Sequence, residues 1–172
     1  MSMRIYIASS WKNQHAVELL THVLRTAGHE VRSFVENNYG EGHGPDKRMD
    51  FEEWIRTEQA DSSFMYDTKG ATESDLVVYV GPSGTDAWAE VGAAWAVGVP
   101  VYGLWAKGEQ AGLMRKMVMW FERWPLLVKA VAKLAGEGGS LREGLNRDAA
   151  RVGGLQIVEP FEKAGEGGGW TP

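Results

Sequence analysis

The run Leu76-Val77-Val78-Tyr79-Val80 limits most strongly how this chain can fold. It is bounded by Asp75 and by the turn Gly81-Pro82-Ser83-Gly84-Thr85. A short, continuously apolar run of this kind reads as a strand covered on both faces, and such strands belong to parallel sheets flanked by helices. Arg4 to Ala8 reads the same way. A polar turn, Ser9-Ser10-Trp11, follows it and opens a helix from about Lys12 to Ala27, in which Ala16, Leu19, Leu20, Val23 and Leu24 recur at helical spacing before Gly28.

The remaining segments repeat that alternation. His29 to Val35 alternates as a second strand, and Glu36 to Asp50, with three glycines and one proline, reads as a loop. Asp50 is placed to cap a helix from Phe51 toward Asp61, and a second helical stretch covers roughly Ser63 to Glu73. Beyond the central strand come a helix from Asp86 to Val97, a strand from Val99 to Leu104 and a short helix near Gln110 to Lys116. An edge strand at Met117 to Phe121 and a helix from Pro125 to Leu134 complete the series. The expected fold is therefore α/β and Rossmann-like (flavodoxin-like), a parallel sheet of about five strands with helices on both faces. Residues 1–135 are expected to form the domain and 136–172 a glycine-rich appendage with a weak strand at Leu155 to Val158. In such sheets ligands bind outside the carboxyl ends of the strands where strand order reverses, which sets the loops after Ala8 and Val80 at one mouth.

Composition narrows the function classes. The 172 residues carry a net charge of −5, which argues against a dedicated binder of nucleic acid or of anionic membrane. No segment is apolar for long enough to span a bilayer, and the start is too short in apolar residues for a signal peptide, so a cytoplasmic location is the default expectation. The absence of cysteine removes disulfides and thiolate metal sites. His15, His22 and His29 fall seven apart, but His29 lies beyond the helix-stopping Gly28 and no acid completes a site, so no metal is expected. Of the eight tryptophans, most are expected in the core or at subunit contacts, and one or two suit stacking on a flat ligand.

Several polar residues stand where this fold would gather them. Glu90 lies in Trp88-Ala89-Glu90-Val91-Gly92-Ala93-Ala94-Trp95, an environment of small and apolar residues that a solvated helix face does not explain. Asp67 precedes the central strand, where a solvated helix acid is the ordinary reading. Ser83, Thr85 and Asp86 follow that strand, and each is a candidate to cap the next helix. Tyr6 lies on the first strand, where a core role is usual. Ser9, Ser10, Trp11 and Lys12 open the first helix and offer hydroxyls and backbone N–H groups to an anion, though without the glycines of a phosphate-binding fingerprint.

Two blocks carry a resemblance. The opening Ile5-Tyr6-Ile7-Ala8-Ser9-Ser10 is one. The other runs from Asp67 to Asp75-Leu76-Val77-Val78, through Pro82-Ser83, to Glu90-Val91-Gly92-Ala93-Ala94 and Gly98-Val99-Pro100-Val101. Over about Met3 to Leu134 the chain resembles the nucleoside 2-deoxyribosyltransferase superfamily, including its nucleotide N-hydrolase relatives. The resemblance implies cleavage or transfer at the N-glycosidic bond of a (deoxy)nucleoside or nucleotide, without metal or organic cofactor. It implies Glu90 as the nucleophile at the anomeric carbon, Asp67 beside the departing base and Tyr6 positioning the nucleophile. Ser83 stands near a serine that contacts the 5′-phosphate in the hydrolases; it is a candidate substrate contact together with Ser9, Ser10, Trp11 and Asp86 at the same mouth, and a homo-oligomer is the expected assembly. The first loop lacks the glycine-arginine phosphate clamp of the hydrolases. Two other functions fit the same residues: a nucleotide-binding or sensing module without turnover, and an NAD glycohydrolase-like enzyme.

Overall fold

A computed structural model describes residues 1–40, 50–110 and 112–136. The appendage beyond 136, with its expected strand at Leu155 to Val158, lies outside the described residues. Five strands form one parallel sheet: β1 (Arg4–Ala8), β2 (Glu30–Ser33), β3 (Leu76–Val80), β4 (Val101–Leu104) and β5 (Met119–Phe121). Their order is β2-β1-β3-β4-β5, so strand order reverses between β1 and β3. This is the expected Rossmann-like α/β fold.

Alternation along the strands sorts the core into two layers. Ile5, Ile7, Val31, Leu76, Val78 and Val80 point to one face. They meet Val17, Leu20 and Leu24 of α1 (Gln14–Thr26) and Leu127 and Val131 of α6 (Trp124–Gly136). Tyr6, Ala8, Val77 and Tyr79 point to the other face, toward Ala71 of α4 (Glu58–Glu73) and Ala87, Val91 and Ala94 of α5 (Thr85–Ala96). The small residues of α4 and α5 let both helices approach this second face closely, and Gly70 shows why. A Cβ on Gly70 would overlap ring carbons Cδ2 and Cε2 of Tyr6, whose side chain is fully buried.

Register is fixed at both ends of the β1–β3 pair. At the amino end the Asp75 carboxylate accepts from the Arg4 backbone N–H and from its guanidinium, each at 2.9 Å. Both side chains are partly exposed, so the pair sets alignment more than stability. At the carboxyl end the Ser9 hydroxyl donates to the Val80 carbonyl at 2.7 Å, and the Asn13 amide donates to the carbonyls of Val80 (3.1 Å) and Pro82 (2.8 Å). The loops after β1 and β3 therefore lie side by side, as the topology predicted.

Local structure departs from the sequence expectations at four places. Strand β2 ends at Ser33, and a helix α2 (Phe34–Gly40) begins inside the segments read as strand and loop. Phe34 and Val35 are buried, and Glu36 is gripped by Arg25 at 2.6 and 2.7 Å, which anchors α2 to α1. The expected helix from Phe51 toward Asp61 stops as α3 (Phe51–Trp54), although Asp50 caps it as expected, accepting from Glu53 N at 2.8 Å. Thr57, extended and accepting from Ala60 N at 3.2 Å, restarts the chain as α4, which runs unbroken through Ser62 and Ser63. Helix α5 is capped by Gly84 without a side-chain bond, so Ser83, Thr85 and Asp86 do not do that job. The short helix expected at Gln110 to Lys116 is a 3-10 turn over Leu113–Met117.

The Gly70 contact gives a direct test. Gly70→Ala gains roughly 1 kcal/mol of helix propensity but overpacks a rigid ring, which costs about 1–3 kcal/mol or more. Net destabilisation is expected, read in urea as a lower midpoint at unchanged m-value; a rise in midpoint would refute the close packing.

Candidate active site

Three side chains from three elements converge on the second face of the sheet. Tyr6 stands in the middle of β1, Asp67 in the third turn of α4 and Glu90 in the second turn of α5. The Tyr6 hydroxyl donates to Asp67 Oδ1 at 2.9 Å and also lies in hydrogen-bonding reach of Glu90. Both acids are half-buried, and Glu90 Oε2 is buried with no hydrogen-bond partner. The sequence marked Glu90 by its apolar neighbours, and burial is the outcome.

The electrostatics follow from that burial. Glu90 is raised from 4.5 to about 8, first by desolvation, then by the nearby Asp67 and more weakly by Asp86, against a lowering hydrogen bond from Tyr6. Asp67 is raised from 3.8 to about 6, again first by desolvation, with Tyr6 lowering it and Asp86 raising it. Tyr6 itself is raised well above 10 by burial and by both carboxyls, so it remains a proton donor throughout. Near neutrality the pair of acids therefore shares one proton, and the two protons are lost in steps that belong to the pair.

The other expected contacts are placed as follows. Ser9 is buried and its hydroxyl is engaged with Val80, which makes it part of the frame. Ser10 Oγ and Ser83 Oγ are buried without a partner at the carboxyl ends of β1 and β3, on either side of the β1–β3 switch point. Trp11 packs edge-on against Phe34, 5.1 Å between ring centroids, and Phe34 belongs to the opposite core layer; Trp11 is not brought to the three side chains. Asp86 is exposed and reaches the site only through its field on the two acids.

An aromatic cluster that sequence reading did not single out lies on the same face of the sheet. Trp88, two residues before Glu90, packs on Tyr79 (5.0 Å between centroids), and Trp120 closes the cluster at 5.7 Å from Tyr79. Asn13 and Gly70 hold the loop and the Tyr6 ring. Among the described residues no group of three His, Cys, Asp or Glu side chains could hold a metal, and His29 instead accepts from Met3 N at 3.3 Å.

Two half-buried carboxyls bridged by a phenol, at the switch point of a parallel sheet, suit attack on a sugar carbon combined with proton delivery to a leaving group. A solved 2-deoxyribosyltransferase from Bacillus psychrosaccharolyticus superimposes on this chain with a TM-score of 0.57. It is 25% identical, and the match covers 73% of this chain and 90% of that one. The structural resemblance is to the nucleoside 2-deoxyribosyltransferase superfamily. A CMP N-glycosidase from Clostridium botulinum is also similar (20% identity, 75% of this chain and 98% of that one, TM-score 0.48), as is a conserved protein from Enterococcus faecalis V583 (18%, 88% and 100%, TM-score 0.41). No protein-family model and no curated protein matches the sequence. No helix among the described residues is long and apolar enough to cross a membrane.

The raised acids make a stability prediction. A carboxyl whose folded pKa lies above its unfolded value keeps its proton after the unfolded chain has released it. Stability thus falls as pH rises from about 4.5 to about 8 for Glu90. Glu90→Gln removes that penalty and is expected to stabilise the protein by about 1–2 kcal/mol at pH 8, after allowing for partial exposure, and by little at pH 4.5. Equal effects at both pH values would contradict the burial of the charge.

Proposed function

We propose that the protein cleaves or transfers the N-glycosidic bond of a nucleoside or nucleotide, with Glu90 as nucleophile. The observation that carries this reading is the Tyr6–Asp67–Glu90 constellation itself, on a fold shared with a 2-deoxyribosyltransferase at 25% identity. Glu90 as carboxylate attacks the anomeric carbon while the bond from that carbon to the base nitrogen breaks. The bonding pair leaves with the base, and the proton held by Asp67 moves to it. A second base, or water, then attacks the same carbon as its proton passes to the Asp67 carboxylate, and the bond from that carbon to Glu90 breaks with its electron pair returning to the carboxylate.

The reactive form has Glu90 ionised and Asp67 protonated. Tyr6 supports that distribution, because once Asp67 carries a proton the phenol is free to donate to Glu90. In the resting protein Glu90 holds the proton more tightly than Asp67, so the reactive form is the less populated of the two singly protonated forms. The ratio between those forms does not depend on pH. Their sum does, and it is largest between the two steps of the pair.

The decisive experiment follows released base chromatographically from a panel of deoxynucleosides, ribonucleosides, their monophosphates and NAD, with and without a free acceptor base. Base release lost in Glu90→Gln is the expected outcome; unchanged turnover in that variant would sink the assignment. A bell-shaped pH dependence of kcat/KM is expected, with limbs near 6 and 8. Because the Tyr6 hydroxyl lowers both acids, Tyr6→Phe should move both limbs upward as well as slow the reaction. Binding of a nucleotide with no base release from any substrate would favour the sensing module instead.

A further inference from the structure

Helix α5, which carries Glu90, begins without a side-chain cap. Gly84 stands at the N-cap and makes no such bond, and the first backbone bond of the helix, from Trp88 N to the Gly84 carbonyl, is long at 3.3 Å. Ser83 Oγ is buried without a partner, so it does not cap either. The helix start is held from outside instead. The Ser83 backbone N–H donates to the Tyr79 hydroxyl at 3.1 Å, and the Trp88 indole N–H lies in hydrogen-bonding reach of the same oxygen. The rings of Trp88 and Tyr79 pack 5.0 Å apart between centroids. One phenolic oxygen is thus tied to the start of α5 at two points, Ser83 just ahead of the helix and Trp88 two residues before Glu90.

Tyr79 is a rigid anchor for those two contacts. It lies in the central strand, paired with Ala8 of β1 on one side and Gly103 of β4 on the other, and its side chain is buried. A phenol has one proton and two lone pairs, so it accepts from two N–H groups only when its proton points elsewhere. Glu109, in the loop after β4, takes that proton: the Tyr79 hydroxyl donates to Oε1 and Oε2 at 3.0 and 2.8 Å. Trp120, the other indole on this ring, gives its N–H to the Arg115 carbonyl at 3.0 Å and carries the Arg115 guanidinium over its face. The loop that bears Glu109 is seated closely on the turn ahead of α5. A Cβ on Gly81 would overlap Glu109 Oε2, and a Cβ on Gly108 would meet Pro82 Cγ at 3.8 Å. Burial and then Glu109 raise Tyr79 above its ordinary value, so the proton stays in place.

We propose that Glu109 is a positioning residue, which acts through Tyr79 on Ser83 and Trp88 to fix the start of the helix that presents Glu90. It requires no contact with substrate, Tyr6 or Asp67. The inference rests on the N-glycosidic reading given above, in which Glu90 attacks a sugar carbon. Without an acceptor at position 109 the Tyr79 proton turns toward Ser83 or Trp88, donor meets donor, and one of the two ties breaks. The first two turns of α5 then shift on the sheet. Displacing a nucleophile by about 1 Å lowers turnover far more than it lowers affinity. A loosened helix start also admits water to Glu90 and weakens the desolvation that holds its proton.

The test is a double-substitution cycle in the full chain, read first in base release. Glu109→Leu, which fills the space without accepting a proton, is expected to lower kcat by roughly tenfold or more while KM changes less than about threefold. In a Tyr79→Phe background the same substitution is expected to add nothing. Glu109→Gln, whose carbonyl still takes the proton, is expected to recover most of the loss. Additive effects of the two substitutions, or an unchanged kcat in Glu109→Leu, would overturn the proposal. Two NMR readouts need no turnover: hydrogen exchange at the Ser83 amide, and titration of the Glu90 carboxyl, which Tyr6, Asp67 and Asp86 also influence. Glu109→Leu is expected to speed the exchange by roughly tenfold or more and to lower the Glu90 midpoint from about 8. If wild type releases base from no substrate, the reaction fails, and these readouts still decide the positioning: both shifts uphold it, and either one absent overturns it. If Glu109→Leu fails to fold, Tyr79→Phe, which removes the shared hydroxyl, is expected to give the same loss of kcat and the same two shifts.

Discussion

The hydrogen bond from Tyr6 to Asp67 is the interaction on which the rest of the site depends. It joins the centre of the sheet to α4 and sets the phenol beside the two carboxyls. Everything around it serves that placement. Gly70 leaves room for the ring, and Ala71, Ala87, Val91 and Ala94 bring α4 and α5 down onto the sheet. The result is a pair of acids that burial, together with the repulsion Asp67 exerts on Glu90, keeps singly protonated near neutrality. Such an arrangement costs stability, and the fold tolerates it because strands β1, β3 and β4 beneath it are fully paired and their inward side chains are buried.

The frame around the pair is built from backbone bonds rather than from charge. Ser9 and Asn13 tie the first loop to the carbonyls of Val80 and Pro82, so the mouth between β1 and β3 has a fixed floor. Tyr79 does the same on the other side, linking the turn at Ser83 to the loop at Glu109. Between these two ties the buried oxygens of Ser10, Ser83 and Glu90 lack partners within the protein. Unsatisfied buried polar atoms are uncommon, and three around one sheet mouth mark where a polar ligand would be received.

Much of this was legible in the sequence because its signals are local. The apolar run from Leu76 to Val80 announced a central strand, and an acid between Ala89 and Val91 announced a buried charge. The spacing of the loops after Ala8 and Val80 announced the mouth. What escaped was set by contacts across the fold. Nothing around Gly70 reveals that a tyrosine ring 64 residues earlier occupies the space of its missing side chain. Glu109 and Tyr79 are 30 residues apart, and only the sheet brings them together. The helix from Phe34 to Gly40 hid behind a glycine-rich stretch, since burial of Phe34 and Val35 and the Arg25–Glu36 pair outweighed local propensity there. Ser9 and Trp11, read as ligand contacts from their place at a helix start, turned instead to Val80 and Phe34.

The proposed reaction requires Glu90 to bond to a sugar carbon during turnover. That bond is sought by intact-mass spectrometry on protein quenched in acid during steady-state reaction with a cleaved nucleoside. A mass increase equal to the sugar residue, mapped to the peptide bearing Glu90 and absent in Glu90→Gln, is expected. Sustained base release with no adduct on that peptide, or an adduct on any other residue, would contradict it.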